Sequence, residues 1–122
     1  MTDVHVAVDT QTGLLFERVG GAPQVAWIVG RLYDRMSADP ALAGPLAALD
    51  LTALKRAQIS FFVRALGGPT IDPEPGGAEL RLDLEAFARV MGHLLDTLLS
   101  LDLSEELIGE IILAVLARAL HP

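Results

Sequence analysis

The segment 51–69, LTALKRAQISFFVRALGGP, constrains the fold most strongly, because it predicts one long amphipathic helix with a defined end. Its apolar residues recur at helical spacing and therefore share one face. They are Leu51, Leu54, Phe61, Phe62 and Ala65. The sequence Gly67-Gly68-Pro69 ends the helix, since glycine tolerates positive φ and proline cannot continue the backbone hydrogen bonds.

Gln58 falls at the centre of this apolar face. A buried amide must find a hydrogen-bond partner, because burying it unpaired costs free energy. Two interpretations follow from the residues alone. Gln58 is either a core glutamine bonded to another side chain or backbone group, or a polar group that points into a ligand cavity.

The same periodicity predicts further helices over 13–19, over 23–38, from about Asp83, and from about Ser104 to the end of the chain. The proline-rich and alanine-rich stretch 40–50 is predicted to be a connector with about one turn of helix. Asp50, Asp83, and either Asp102 or Ser104 are the expected N-caps. These elements predict a single all-α domain over residues 1–122, with residues 1–10 as a tail.

The last helix has two apolar stripes. One faces the core, and the second consists of Leu113, Leu116 and Leu120 on the far side. A helix that is apolar on two sides either lies between two layers or pairs with another chain. The small size of the domain favours pairing, so these three leucines predict the interface of a homo-oligomer.

Composition excludes several classes of function. The net charge is −7 and the nine basic residues are scattered, which argues against nucleic-acid binding. Charged residues interrupt every apolar run, so no membrane span is expected. The first nine residues lack the basic flank of a signal peptide, which predicts a cytoplasmic protein.

Apolar residues make up 52% of the chain, and the mean hydropathy is +0.45. This apolar content must be absorbed by a large core, a small apolar ligand or a subunit interface. With no cysteine, the chain has no disulfide, no zinc-thiolate site and no thiol nucleophile. His5 and His121 lie at the chain ends and His93 on a predicted exposed face, so we expect no catalytic residues, no metal site and no enzyme.

The sequence resembles the truncated haemoglobins of the group I type over nearly its whole length. The matching segments are LLFERVGG (14–21), LYDRMSADPAL (32–42), LKRAQISFFVRALGGP (54–69) and the last two helices. Double-glycine turns follow both the first helix and the central helix, as in that family. The resemblance implies a two-over-two helical sandwich that encloses a haem and binds small gases.

The resemblance also implies a distal pocket, whether former or actual. Tyr33 matches the tyrosine that hydrogen-bonds the haem ligand, and Gln58 matches the glutamine that assists it from the facing helix. Leu54 matches an apolar distal residue, and Phe61 and Phe62 complete the predicted pocket. The Tyr33 hydroxyl thus becomes a candidate partner for the Gln58 amide.

Two other positions depart from the family pattern. The iron-ligating histidine is expected at about Gly77, and no histidine occurs from Gly67 to Gly92. The phenylalanine that wedges the porphyrin is expected near Leu46. Haem iron needs an axial donor such as His, Cys, Met or Tyr. Met36 and Met91 fall on predicted core stripes and are therefore set aside, which leaves Tyr33 as the least unfavourable donor.

These departures favour a haem-free globin-fold protein with no cofactor. Its core would be repacked or would hold an apolar ligand, and it would act as a sensor or interaction module. The alternative is an atypical haem protein that binds oxygen or nitric oxide, which the Tyr33 and Gln58 pair supports.

Overall fold

The structure is a computed structural model that describes residues 15–69 and 82–120. These two ranges contain six α-helices and no strand. The helices are α1 (Leu15–Val19), α2 (Gly21–Ala38), α3 (Pro40–Ala47), α4 (Leu51–Ala65), α5 (Leu84–Leu99) and α6 (Glu105–Leu120). The predicted all-α class is confirmed. The predicted tail and the position at Gly77 lie outside the described residues.

The helix starts follow the predicted caps. The Asp50 carboxylate accepts a hydrogen bond from the Ala53 backbone N–H at 3.2 Å. The Asp83 carboxylate does the same for Ala86 at 2.8 Å. For α6, the cap is Ser104 rather than Asp102, since the hydroxyl accepts from the Leu107 N–H at 3.1 Å. Each cap satisfies a backbone donor that the first helical turn leaves without a partner.

The connector predicted over 40–50 is instead the helix α3. Asp39 caps this helix by accepting the Ala41 N–H at 2.9 Å, and Pro40 occupies the first helical position. Proline suits that position because its fixed φ matches the helix and its missing N–H would have no partner there. The prediction of a connector was wrong because proline favours a helix at this first position, although it breaks a helix in the interior.

The double-glycine turns behave as their sequence predicts. Gly20 and Gly21 have φ values of 120° and 74°, and Gly67 has a φ of 82°. Side chains with a Cβ rarely adopt such positive values, so glycine permits both sharp turns. The first turn lets α2 begin at Gly21, two residues before the predicted start at Pro23.

The centre of the fold is α2, which packs against α3, α4 and α5, while α6 closes the other side against α4 and α5. One face of α2 is buried, and Tyr33 is part of it. This face consists of Val25, Ile28, Val29, Leu32, Tyr33 and Met36. A bidentate salt bridge joins α1 to α6. In it, the Arg18 guanidinium donates to both Glu110 carboxylate oxygens at 3.2 and 3.0 Å.

Two leucines of α5 face away from the core. Leu84 is 79% exposed because it occupies the first turn, and Leu95 is 40% exposed. The face that packs inward is carried by Leu94, Thr97 and Leu98. None of the helices within 15–69 and 82–120 has the length and apolar character needed to cross a membrane.

Candidate functional site

An apolar cavity of about 370 Å³ lies among α2, α4, α5 and α6. Small-molecule sites in proteins generally have volumes of about 300–1,000 Å³. Its wall is almost entirely aliphatic, aromatic or thioether in character. The lining residues are Leu32, Tyr33, Met36, Gln58, Phe61, Phe62, Leu82, Phe87, Val90, Met91, Leu94, Val115 and Ala119.

Tyr33 is the most deeply buried polar side chain in this wall. Helical spacing places it one turn before Met36 on the inner face of α2, and only 2% of its surface is exposed. Burial raises the pKa of the Tyr33 phenol above its usual value, because the charged form loses its hydration. The phenol is therefore neutral and able to donate a hydrogen bond. Within the described part of the chain its hydroxyl has no hydrogen-bond partner.

Gln58 lines the same cavity from α4 and is half-buried. No hydrogen bond joins Gln58 to Tyr33, although both residues are described. The proposed amide–hydroxyl pair is therefore not present in this structure. Two polar groups instead share a mainly apolar cavity without bonding to each other. This arrangement matches the second interpretation of Gln58, a polar group that points into a cavity.

The remaining predicted pocket residues fall into two groups. Phe61 and Phe62 line the cavity, and their rings meet edge to face with centroids 5.7 Å apart. Leu54 is buried in the core, but it is not part of the cavity wall. Leu46, at the position expected for the porphyrin-wedging phenylalanine, is likewise buried and away from the wall.

Met36 and Met91 were not predicted to be cavity residues. Both were assigned to core stripes and set aside, yet both sulfur-bearing side chains line the cavity. A stripe that faces the core also faces any cavity inside that core, so periodicity alone cannot separate the two environments. Leu82, just before α5, and Phe87 in its first turns also belong to the cavity wall.

His93 was predicted to be a surface histidine, and the structure corrects this. Its Nε2 lies 2.7 Å from Asp39 Oδ2, and its side chain is only 23% exposed. Arg89 Nε donates to the same oxygen at 2.8 Å. The hydrogen bond from His93 has the largest effect on the Asp39 carboxyl and, with the Ala41 N–H and Arg89, lowers its pKa to about 2. The pairing was hidden because Asp39 lies 50 and 54 residues away from Arg89 and His93 in the sequence.

Comparison with known proteins assigns the family. A family model described as bacterial-like globin matches residues 14–120. The chain belongs to the bacterial-like globin family. This globin is 31% identical over 107 residues to the group 1 truncated hemoglobin GlbN of Mycolicibacterium paratuberculosis. The alignment covers 83% of this chain and 77% of that protein.

Solved structures agree with this assignment. The 2/2 hemoglobin from a Synechococcus species superimposes with a TM-score of 0.72 and 28% identity, covering 84% of this globin and 89% of that chain. Chlamydomonas reinhardtii THB1 gives 0.68 and 30%, covering 88% and 94%. A truncated hemoglobin variant from Tetrahymena pyriformis gives 0.72 at 21% identity, which supports the fold alone. The resemblance and the two-over-two architecture are thereby confirmed.

These relatives contradict the prediction that this globin has no cofactor. The Synechococcus protein carries covalently attached haem, and the Tetrahymena protein is in an Fe(III) form. The prediction relied on the missing histidine near Gly77, a position outside the described residues. It also relied on setting Met36 and Met91 aside, and both of those residues line the cavity. The capacity of this globin to hold haem therefore depends on all the residues around the cavity rather than on the residue at one sequence position.

The predicted oligomer interface lies on the outer side of α6. Leu113 is 68% exposed, Leu120 is 59% exposed and Leu116 is half-buried. Leu113 also borders a second, more open apolar groove between α5 and α6, which Met91, Leu95 and Leu99 help to line. Pairing of two chains through this surface stays a prediction.

Proposed function

We propose that this globin binds haem in the cavity among α2, α4, α5 and α6, and that the haem protein reversibly binds a small gas such as oxygen or nitric oxide. The observation that carries the proposal is Tyr33, whose largely buried side chain lines the cavity together with Gln58 and whose hydroxyl has no hydrogen-bond partner among the described residues. A buried donor without a partner costs free energy, and a ligand that accepts its hydrogen bond recovers that cost.

The residues present fit a haem on three counts. The wall is apolar and rich in aromatic side chains, as a hydrophobic macrocycle requires. The wall also contains donors of types that haem iron accepts, namely the Tyr33 oxygen and the Met36 and Met91 sulfurs. Finally, the polar groups of the wall are Tyr33 on α2 and Gln58 on α4. The part of the cavity between these two helices is therefore suited to a polar ligand.

When bound, the haem would supply an iron atom able to bind a diatomic gas. The protein residues have separate tasks. The Tyr33 hydroxyl donates a hydrogen bond to the gas ligand, and the Gln58 amide provides a second donor from α4. The aromatic pair Phe61 and Phe62 holds the macrocycle by apolar contact and limits the entry of water.

We propose binding rather than turnover as the activity. The described residues contain no cluster of three or more His, Cys, Asp or Glu side chains that would hold a further metal ion. The titratable cluster of Asp39, Arg89 and His93 is a structural contact between helices, since none of its members lines the cavity. A cytoplasmic location is also proposed, because the sequence contains no cysteine and therefore no disulfide.

A pair of substitutions on one helix tests the site. Ala119 lines the cavity, whereas Ala117 is exposed on the same helix. The chain is expressed with a haem precursor, and the haem content is measured from the visible spectrum and by extraction. We expect the parent protein and Ala117→Trp to carry about one haem per chain. Ala119→Trp fills the cavity and should carry much less.

The proposal fails if the purified parent protein contains no haem and does not take it up from added hemin. It also fails if Ala119→Trp binds haem as well as Ala117→Trp does, since haem would then lie elsewhere. Circular dichroism on each variant establishes that the helices are intact.

A further inference from the structure

The cavity wall raises the question of which side chain holds the iron. Haem iron in proteins is held by histidine, cysteine, methionine or tyrosine. The chain has no cysteine, and its three histidines are at positions 5, 93 and 121. Of these, His93 is described, and its Nε2 is hydrogen-bonded to Asp39 rather than directed into the cavity.

The position of His93 on α5 also separates it from the cavity. Phe87, Val90, Met91 and Leu94 of this helix line the cavity. His93 follows Met91 by two residues, which places the two side chains about 200° apart around the helix axis. Rotation of the imidazole ring alone cannot bring it into the cavity, and the Asp39 contact would first have to break.

The donors inside the cavity come from two helices. Tyr33 and Met36 both belong to α2, separated by one turn, so they approach a ligand from the same wall. Met91 belongs to α5. Among the cavity residues outside α2, Met91 alone carries a donor of a type that haem iron takes, since the Gln58 amide is not one of those types.

Packing further separates Met91 from Met36. Met36 is 1% exposed and enclosed in the core. Met91 is half-buried and belongs to the wall shared by the cavity and the open groove between α5 and α6. A methionine side chain has three rotatable bonds and fills irregular space easily. Met91 therefore has room to turn its sulfur toward an occupant of the cavity.

We propose that the Met91 thioether sulfur, donated from α5, would be the protein ligand that holds the haem iron, which leaves Tyr33 on α2 to contact the gas ligand. This inference rests on the proposed haem binding. Met91 had been set aside as an iron ligand because helical periodicity placed it on a core face. With Met91 as the ligand, no histidine is needed in the segment between α4 and α5.

The test compares Met91→Leu with Met36→Leu in the full chain loaded with haem. Both replacements conserve side-chain volume and remove a sulfur from the same cavity. Two properties are measured, the sulfur-to-iron charge-transfer absorption of the ferric protein and the reduction potential. Methionine ligation raises the potential of haem iron. We expect Met91→Leu to abolish the absorption and lower the potential, and Met36→Leu to change neither.

A third variant, Met91→His, keeps a donor at the same position. It should lose the sulfur absorption, retain haem and show the spectrum of a nitrogen-ligated haem. A parent protein that binds haem but gives the same spectrum and potential as Met91→Leu overturns the assignment while leaving haem binding intact. A parent protein that takes up no haem overturns the proposed function itself, so the two failures are distinguishable.

Discussion

Replacing Tyr33 by phenylalanine removes one hydroxyl group and leaves the ring packed in the α2 face. The side chain is 2% exposed and its hydroxyl has no hydrogen-bond partner within 15–69 and 82–120. A fully buried unpaired hydroxyl costs about 1–3 kcal/mol, and the Tyr33 hydroxyl, which keeps some accessible surface, falls at the lower end of this range. In protein freed of haem, we therefore expect Tyr33→Phe to raise the free energy of unfolding by about 1 kcal/mol.

The same substitution should weaken gas binding in the haem-loaded protein. A hydrogen bond to an atom that carries negative charge contributes about 1.5–3 kcal/mol, which corresponds to a factor of about 10–150 in an equilibrium constant. Most of this factor is expected in dissociation, since a buried hydrogen bond must break before the ligand leaves. The substitution thus has opposite signs for the stability of the fold and for ligand affinity.

Two assays test this prediction. Urea unfolding followed by circular dichroism gives the free energy of unfolding without haem, and stopped-flow mixing gives the oxygen dissociation rate with haem. Met36→Leu is the matched control, because Met36 lies one turn away in the same cavity and the change moves no polar atom. If Tyr33→Phe lowers stability by 1 kcal/mol or more, the hydroxyl is bonded within the fold. An unchanged dissociation rate would show that Tyr33 does not reach the ligand.

Three further predictions concern the scaffold. Asp39→Asn should lower the stability of the fold at neutral pH and make that stability less dependent on acid. The Asp39 carboxyl has a pKa of about 2 in the folded protein against an ordinary 3.8, so its stabilising contribution is complete above pH 3.8 and is lost as the pH falls toward 2. Thermal unfolding measured over this pH range tests the prediction. Gly68→Ala should destabilise by about 1–3 kcal/mol, because its Cβ would lie 2.6 Å from the Phe16 ring, whereas Gly30→Ala, with open space around it, should stabilise by about 1 kcal/mol. Leu113→Glu should convert a dimer to a monomer in size-exclusion chromatography with light scattering, since Leu113 is 68% exposed on the outer face of α6.

Each of these has a contrary result. Identical acid transitions for Asp39→Asn and the parent would mean that the carboxylate does not support the fold. Equal stability of the Gly68 and Gly30 variants would contradict the close approach of Phe16. For Leu113→Glu, a parent that is already a monomer would refute the predicted interface. Leu49→Glu, a charge introduced at another exposed leucine, is the control for general effects on solubility.

The helices were predictable because their signals are local. The caps at Asp50 and Asp83, the positive φ of Gly67 and the inner face of α2 all depend on residues within one or two helical turns. The error at α3 is of the same local kind, because Pro40 both ends one helix and begins the next.

The site was predictable only where the family resemblance indicated it. Tyr33 and Gln58 line the same cavity, but the absence of a hydrogen bond between them depends on the spacing of two helices. Periodicity cannot supply that distance. The roles of His93 and Met91 were missed for the same reason, since one residue contacts Asp39 across more than 50 positions of sequence and the other faces a void that no local pattern reveals.

The shared contact at Asp39 has a mechanical consequence for the cavity. A single carboxylate caps α3 directly after α2 ends, and it also holds the middle of α5 through two side chains. The end of α2 and the middle of α5 are thereby tied together before any occupant arrives. The two helices cannot move apart at that contact, so adjustment to a rigid occupant falls to the side chains farther along each helix.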